Sequence, residues 1–485
     1  EMSENLRELV SIIFFKTKGN PFFASEFVTK IYREKLLYFD FEQKQWRCDI
    51  ENVQKLEHTE DIVKMLIVEI EKLASDTKEL LQIASCVGNT FTVETLSIIA
   101  KCDHKTIVSQ LSPALFHGYI QPVYALSSVQ FATTLEESSS FEIGDDLEFK
   151  FVHDRVHEAF YTLVPDSKRP TLHYEMGTQL KAQDSPATWT PSYLFSVCHH
   201  LNRGRSLIQN DEDLRALVDI NIMAANLAHK GGAHQQALQY SEVGFEILES
   251  LSDDVWTDFY ECAVELKHVA IENTYLLGKF EQAEADLNLL LKKVNTLEER
   301  IHSRRLFYAL CGTIGKYDES LKQGMLILEE LGVELVGLKA APEKKWQSLL
   351  EMIPTRRANY FSSLPLDSDF SFVAAHTTLA EMFSIAFFLQ EFDIYSSIPI
   401  TAAMTCIKKQ RRSIVTGPTL AALALQYQIL VQPSQVSSEF CSVGLELAMA
   451  TDDHWSITQT VVLASMVSVF FQNLEEVEEM FRSVK

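Results

Sequence analysis

Gly232-Ala-His-Gln-Gln-Ala237, Gly278-Lys-Phe-Glu-Gln-Ala283 and Gly315-Lys-Tyr-Asp-Glu-Ser320 share one pattern: Gly, an aromatic or His two residues on, and Ala or Ser five residues on. Each is followed by an apolar helical run: LQYSEVGFEIL, EADLNLLL and LKQGMLIL. Gly permits a left-handed turn, the ring packs on the preceding helix, and the small residue lets paired helices approach closely. Steps of 46 and 37 residues separate the three glycines, looser than the roughly 34-residue tetratricopeptide period. The array over 168–335 is therefore tetratricopeptide-like without being regular, and each repeat needs neighbours to bury its apolar face. Gln472-Asn-Leu-Glu-Glu-Val477 reads as a weaker copy, and 336–485 as a further helical, repeat-like region.

Upstream the texture differs. Asn20-Pro21 opens a helix with Phe23, Phe27 and Ile31 at helical spacing, and LLYFDF (36–41) with QWRCDI (45–50) predicts a small hairpin. TEDIVKMLIVEIEKLA (59–74) places Ile62, Leu66, Ile70 and Leu73 on one helical face, and DTKELLQIASCVG (76–88) opens on an Asp-Thr capping signal. Two short helices follow, stopped at Gly118, then an acidic loop (133–146), a strand LEFKFV (147–152) and a helix HDRVHEAFYTLV (153–164). Helices followed by strands over 76–167 make a winged-helix-like α+β pattern, and 1–75 a separate helical part with its hairpin.

Composition narrows the function. The 485 residues carry a net charge of −24, which repels phosphate backbones and anionic membranes on average. The one basic cluster, Lys408, Lys409, Arg411 and Arg412, reads as a solvated helix end. Eight cysteines without a C-x-x-C pair read as reduced core residues. The apolar stretches 370–389 and 457–471 read as buried helices, and the protein as soluble and cytoplasmic. No G-x-x-x-x-G-K-[ST], G-x-G-x-x-G, H-E-x-x-H, G-x-S-x-G or kinase H-R-D string occurs, so no catalytic residue is assigned and no metal is expected. His199-His200 and His229 read as ordinary helix histidines.

Two strings carry chemistry. Lys18-Gly19-Asn20-Pro21-Phe22-Phe23 sets a helix N-terminus beside an apolar ring, suited to a nucleotide base. In Phe149-Lys-Phe151-Val-His153-Asp154-Arg155-Val156-His157, a His stands at a strand-to-helix junction where it can donate to a phosphate oxygen. Asp154 is expected to cap the helix and fix the imidazole tautomer.

In this order and spacing, GNPFFASEF…TKELLQIASCVGNTFTVETLSIIA…FKFVHDRVHEAFYTLVP…LHYEMGTQL, continuing through LFSVCHHLNRG (194–204) and the repeats, resembles the C-terminal part of a STAND-type, AAA-related signal-transduction ATPase within large sensor histidine kinases. The resemblance covers about residues 15–335. It implies a mainly α fold: a helical tail of the ATPase module, a winged-helix-like unit, then an α-solenoid. It also implies that Gly19, Asn20 and Pro21 lie against an adenine and that His153 and Asp154 sense the phosphates of ADP or ATP. The nucleotide core that binds those phosphates would lie upstream of residue 1. The family string ends in Gln where this chain has His157. The function implied is a non-catalytic regulatory section coupling nucleotide state to helical repeats and attached kinase domains. The alternative is a free-standing scaffold binding a basic peptide in its concave face. A winged-helix DNA binder fits poorly, because LSPALFHGYI (111–120) offers no Lys or Arg to phosphates.

Overall fold

The computed structural model describes residues 4–17, 21–55, 62–123, 147–183, 185–354, 357–431 and 435–470. The acidic loop 133–146 and the copy at 472–477 lie outside them. The chain is mainly α and divides into two compact units, Glu1–Ile220 and Asn221–Lys485.

The first unit opens with α1 (Glu4–Thr17), α2 (Pro21–Arg33), the hairpin β1 (Leu37–Asp40) and β2 (Gln45–Cys48), and α3 (Ile50–Lys55). Leu37 pairs with Cys48 and Asp40 with Gln45 across the antiparallel hairpin. Phe27 and Ile31, one helical turn apart, bury against Leu9 and Val53. A second core follows, built from α4 (Ile62–Ile70), α5 (Ser75–Val87), β3 (Thr90–Thr92), α6 (Val93–Ala100), α7 (His104–Phe116), β4 (Ile120–Pro122), β5 (Glu148–Phe151) and α8 (Asp154–Thr162). The strands form one antiparallel sheet in the order β3-β5-β4. Period-two alternation turns Phe149 and Phe151 inward, where Phe91 stacks on Phe149 and Ile120 pairs with Phe151. Leu66 and Ile70 of α4 join this same core. The expected Asp-Thr cap of α5 is not made: Ala74 is the N-cap, no side chain caps the helix, and Asp76 sits in the first turn. Thr92 and Asp103 do cap α6 and α7. Next come α9 (Arg169–Gln183) and α10 (Pro191–Gly204), and α11 (Asp211–Lys230) passes from the first unit into the second.

The second unit is a series of helical hairpins: α12 (His234–Leu251), α13 (Val255–Asp258), α14 (Tyr260–Leu276), α15 (Phe280–Leu290), α16 (Leu297–Thr313), α17 (Tyr317–Glu330), α18 (Pro342–Met352), α19 (Phe370–Phe388), α20 (Phe392–Lys409), α21 (Thr416–Gln426), α22 (Gln435–Met449) and α23 (His454–Phe470). The three repeat glycines are superimposable in conformation: φ is +75° at Gly232, +77° at Gly278 and +78° at Gly315. Ala237, Ala283 and Ser320 are fully buried, as close helix pairing requires. Phe280 packs on Tyr275 of the preceding helix and His234 on His229, whereas Tyr317 stacks on Phe388 of α19.

The repeat also reaches the region where the sequence shows no glycine turn. Gln390, at φ +59°, donates its N–H to Phe387 O while Glu391 N–H reaches Ala386 O. The same pair of bonds closes the turn at Gly278, to Tyr275 O and Thr274 O. A fourth hairpin, α19–α20, is thus built on a left-handed Gln.

All eight cysteines are free. One described helix, Phe370–Phe388, is long and apolar enough to cross a membrane, and half of its apolar window is buried inside the protein. In the basic cluster, Arg412 donates to Leu364 O and Lys409 lies over the Phe372 ring.

Candidate functional site

His153 stands between β5 and α8, in extended conformation at φ −152° and ψ 147°. Its Nδ1 accepts the Arg155 N–H at 3.1 Å, so the imidazole itself is the helix cap. This corrects the sequence expectation: Asp154 is the first helical residue, exposed, and contributes a charge beside the helix dipole. The tautomer is likewise set by the Arg155 backbone N–H and not by Asp154. With Nδ1 an acceptor, the proton of the neutral ring sits on Nε2, a donor suited to an anionic oxygen. His157, one turn on, has Nε2 2.8 Å from Ser85 O and packs on Phe151, tying α8 to α5.

Of the other expected site residues, Gly19 and Asn20 lie outside the described residues. Pro21 is the first residue of α2, a helix packed on α1 and β1. Among the described site residues, only His153 and Asp154 stand side by side at one junction.

A second concentration of polar groups lies within the second unit, between the first helices of successive repeats. A hollow of about 370 Å³ is lined by residues of α11, α14 and α16, including Glu261, Glu265, Glu272 and Glu299 but no Lys or Arg. Asn226 donates to Glu265 at 2.7 Å, His229 lies 3.7 Å from Glu272, and the Tyr260 hydroxyl donates to Glu299. His268 and His302 meet edge to face at 4.5 Å, and His268 Nε2 is 2.7 Å from Ser303 Oγ. Burial, then the neighbouring His302, pushes His268 down to about 4, so it stays neutral at pH 7. The sequence signalled this hollow only through the Thr296-x-x-Glu299 capping box and the repeat spacing.

No known protein family's model matches the chain. It is 21% identical over 366 residues to a hybrid signal transduction histidine kinase of Dictyostelium discoideum, across 67% of this chain and 11% of that protein. It is 22% identical over 341 residues to a peroxide stress-activated histidine kinase of Schizosaccharomyces pombe, across 68% of this chain and 13% of that protein. The chain thus spans only about a tenth of the length of these curated relatives. A solved STAND protein with a tetratricopeptide repeat sensor from Pyrococcus horikoshii is 14% identical and covers 89% of this chain and 65% of its own, with a TM-score of 0.27. At that score the repeat architecture rests on the turns at residues 232, 278, 315 and 390 themselves.

Proposed function

We propose that this chain is a non-catalytic regulatory section of a cytoplasmic signal-transduction ATPase of the histidine-kinase type, relaying nucleotide state through helical repeats to attached kinase domains. The observation that carries the reading is the His153 cap at the β5–α8 junction, in a chain similar to two histidine kinases and followed by helical repeats. Nε2–H of His153 would donate to a phosphate oxygen of ADP or ATP. Asp154 would set the charge beside it, and Gly19, Asn20 and Pro21 would face the base. The sequence contains no phosphate-gripping loop, so the phosphates would be held by another segment of the protein. Such a switch needs the two nucleotides to bind its two states unequally. His153 does that if it touches phosphate in only one of them.

In the full-length protein, His153→Ala is expected to raise resting kinase output. A lost bond to a charged group is worth about 1.5–3 kcal/mol, or roughly 10- to 100-fold in the resting equilibrium. Ala also removes the helix cap, at a cost of about 1 kcal/mol. His153→Ser keeps a capping oxygen and removes the imidazole donor, and it should activate equally. Resting output unchanged in both, with nucleotide still bound, would sink the sensing role; activation by Ala alone would reduce it to capping.

A second reading is supported by the acidic hollow: capture of a basic peptide by the repeats. A Lys-rich peptide should bind the chain with an affinity that falls as salt rises. Glu265→Gln with Glu272→Gln should weaken it by about tenfold, at up to about 1 kcal/mol for each exposed ion pair. Binding indifferent to both changes would remove this reading.

A further inference from the structure

Three imidazoles converge in the first unit, outside the β5–α8 junction. His173 comes from α9, and His199 and His200 from α10. The two helices pair unusually closely because Gly177 and Gly204 face them. A Cβ at Gly204 would fall 2.6 Å from the Tyr174 backbone, and one at Gly177 2.7 Å from Leu201 Cδ2. That approach sets one ring nitrogen of each histidine within 4.8 Å of the other two. His173 Nδ1 and His200 Nδ1 are 2.9 Å apart, with the rings stacked. Both residues are 1% exposed, while His199 is exposed and forms an open rim.

Packing alone gives the buried pair one hydrogen bond, between the two Nδ1 atoms. In the neutral pair one Nδ1–H donates to the other Nδ1, which leaves one Nε2–H and one Nε2 lone pair. Both Nε2 atoms are buried and have no hydrogen-bond partner. Ligation through the Nδ1 atoms leaves both Nε2–H groups in that state, at about 1–3 kcal/mol each, which lowers the affinity of any ion held there.

We propose that His173, His199 and His200 form a binding site for one divalent transition ion of the zinc type, with water in the fourth position. An all-imidazole set suits zinc and its neighbours and offers nothing to the oxygen-seeking Ca²⁺ or Mg²⁺. With metal–nitrogen bonds of about 2.0–2.1 Å in a tetrahedron, the two Nδ1 atoms need to part by roughly 0.4 Å. The proton they share moves to the Nε2 of its own ring, so three neutral rings ligate and no proton is released. Two charges oppose the ion. Arg169 and Arg203 lie over the Tyr161 ring, whose centroid is 6.4 Å from that of His173, so their charges repel a dication. The affinity is therefore below that of a three-histidine site with a compensating carboxylate. The bound ion clamps α9 to α10.

The test is a titration of the chelator-treated 485-residue chain with Co²⁺, followed by Zn²⁺. One Co²⁺ per chain is expected, with visible absorption of four-coordinate strength, displaced by Zn²⁺ and accompanied by a higher Tm. His199→Gln alters an exposed side chain, so its metal-free Tm should match wild type, while metal binding weakens about 100-fold or more. His268→Gln with His302→Gln removes a histidine pair elsewhere in the chain and should leave binding intact. Three results would overturn the proposal: no stoichiometric Co²⁺ on the folded wild-type chain, undiminished binding in His199→Gln, or loss of binding in the His268/His302 variant.

Discussion

Trp346→Ala will destabilise the second unit by about 3–5 kcal/mol, the usual cost of deleting a large aromatic from a packed core. Trp346 is 2% exposed, and its ring meets Tyr427 edge to face at 4.7 Å and Phe440 at 5.6 Å. Leu349, Phe361 and Leu447 close the same cluster, which draws on α18, α20, α21 and α22. These helices carry no glycine-turn repeat, so this core joins the end of the unit as the repeat interfaces do further up. Packed helices and the Tyr427 and Phe440 rings surround the space, so it can collapse only in part and the penalty should fall within that range. For a unit of this size the Tm should fall by roughly 10 °C. Trp455→Ala is the control: that ring is 36% exposed, and its loss should cost under about 1 kcal/mol. Equal shifts for the two variants in urea titrations would show that Trp346 is not the anchor of this core.

The fold was legible where backbone conformation demands a residue type. A left-handed turn costs a side-chain-bearing residue about 1 kcal/mol or more, so Gly232, Gly278 and Gly315 mark the helical hairpins in the bare sequence. The hairpin at Gln390 uses the same backbone but accepts that cost, and no compositional signal remains to read. The α19–α20 packing around Met382, Phe383, Tyr395 and Ile398 compensates, and packing is invisible without the partner helices. Helix capping misled for a similar reason. Asp and Ser are the usual caps, so Asp154 drew attention, yet the extended backbone at residue 153 lets the His ring reach the Arg155 N–H first.

The candidate sites divide in the same way. The string around His153 is contiguous, so its strand-to-helix setting could be read directly. The acidic hollow takes Glu265 and Glu299 from different helices, and each alone looks like part of a solvated face. His173 and His199-His200 are 26 residues apart along the chain, and only the glycine-mediated approach of α9 and α10 unites them. Helix histidines reveal a cluster only after the crossing point of their helices is known.

Lowering the pH from 7 to 5 will destabilise the second unit, and His376 will account for a measurable share of the loss. Its ring is fully buried beneath Phe372, with Nδ1 3.1 Å from Ser413 Oγ and Nε2 without a partner. Burial first, and the Lys409 ammonium second, push it down to about 4. The sign follows from proton counts. Between about 4 and the ordinary value of 6.5 the unfolded chain binds a proton that the folded chain refuses, so stability is full above 6.5 and is lost as pH falls towards 4. Each pH unit in that window is worth about 1.4 kcal/mol per group, so His376 should cost about 2 kcal/mol at pH 5. His268 acts in the same direction. Glu381 acts against them: burial raises its pKa, so the folded state takes up a proton more readily and gains as pH falls. Because these contributions overlap, the informative quantity is a difference between two pH profiles. His376→Gln keeps an amide within reach of Ser413 and removes the titrating group. Urea midpoints followed by tryptophan fluorescence should fall less steeply from pH 7 to 5 in the variant than in wild type. Parallel profiles would show that His376 contributes nothing to the acid loss and would overturn its assignment as the titrating group.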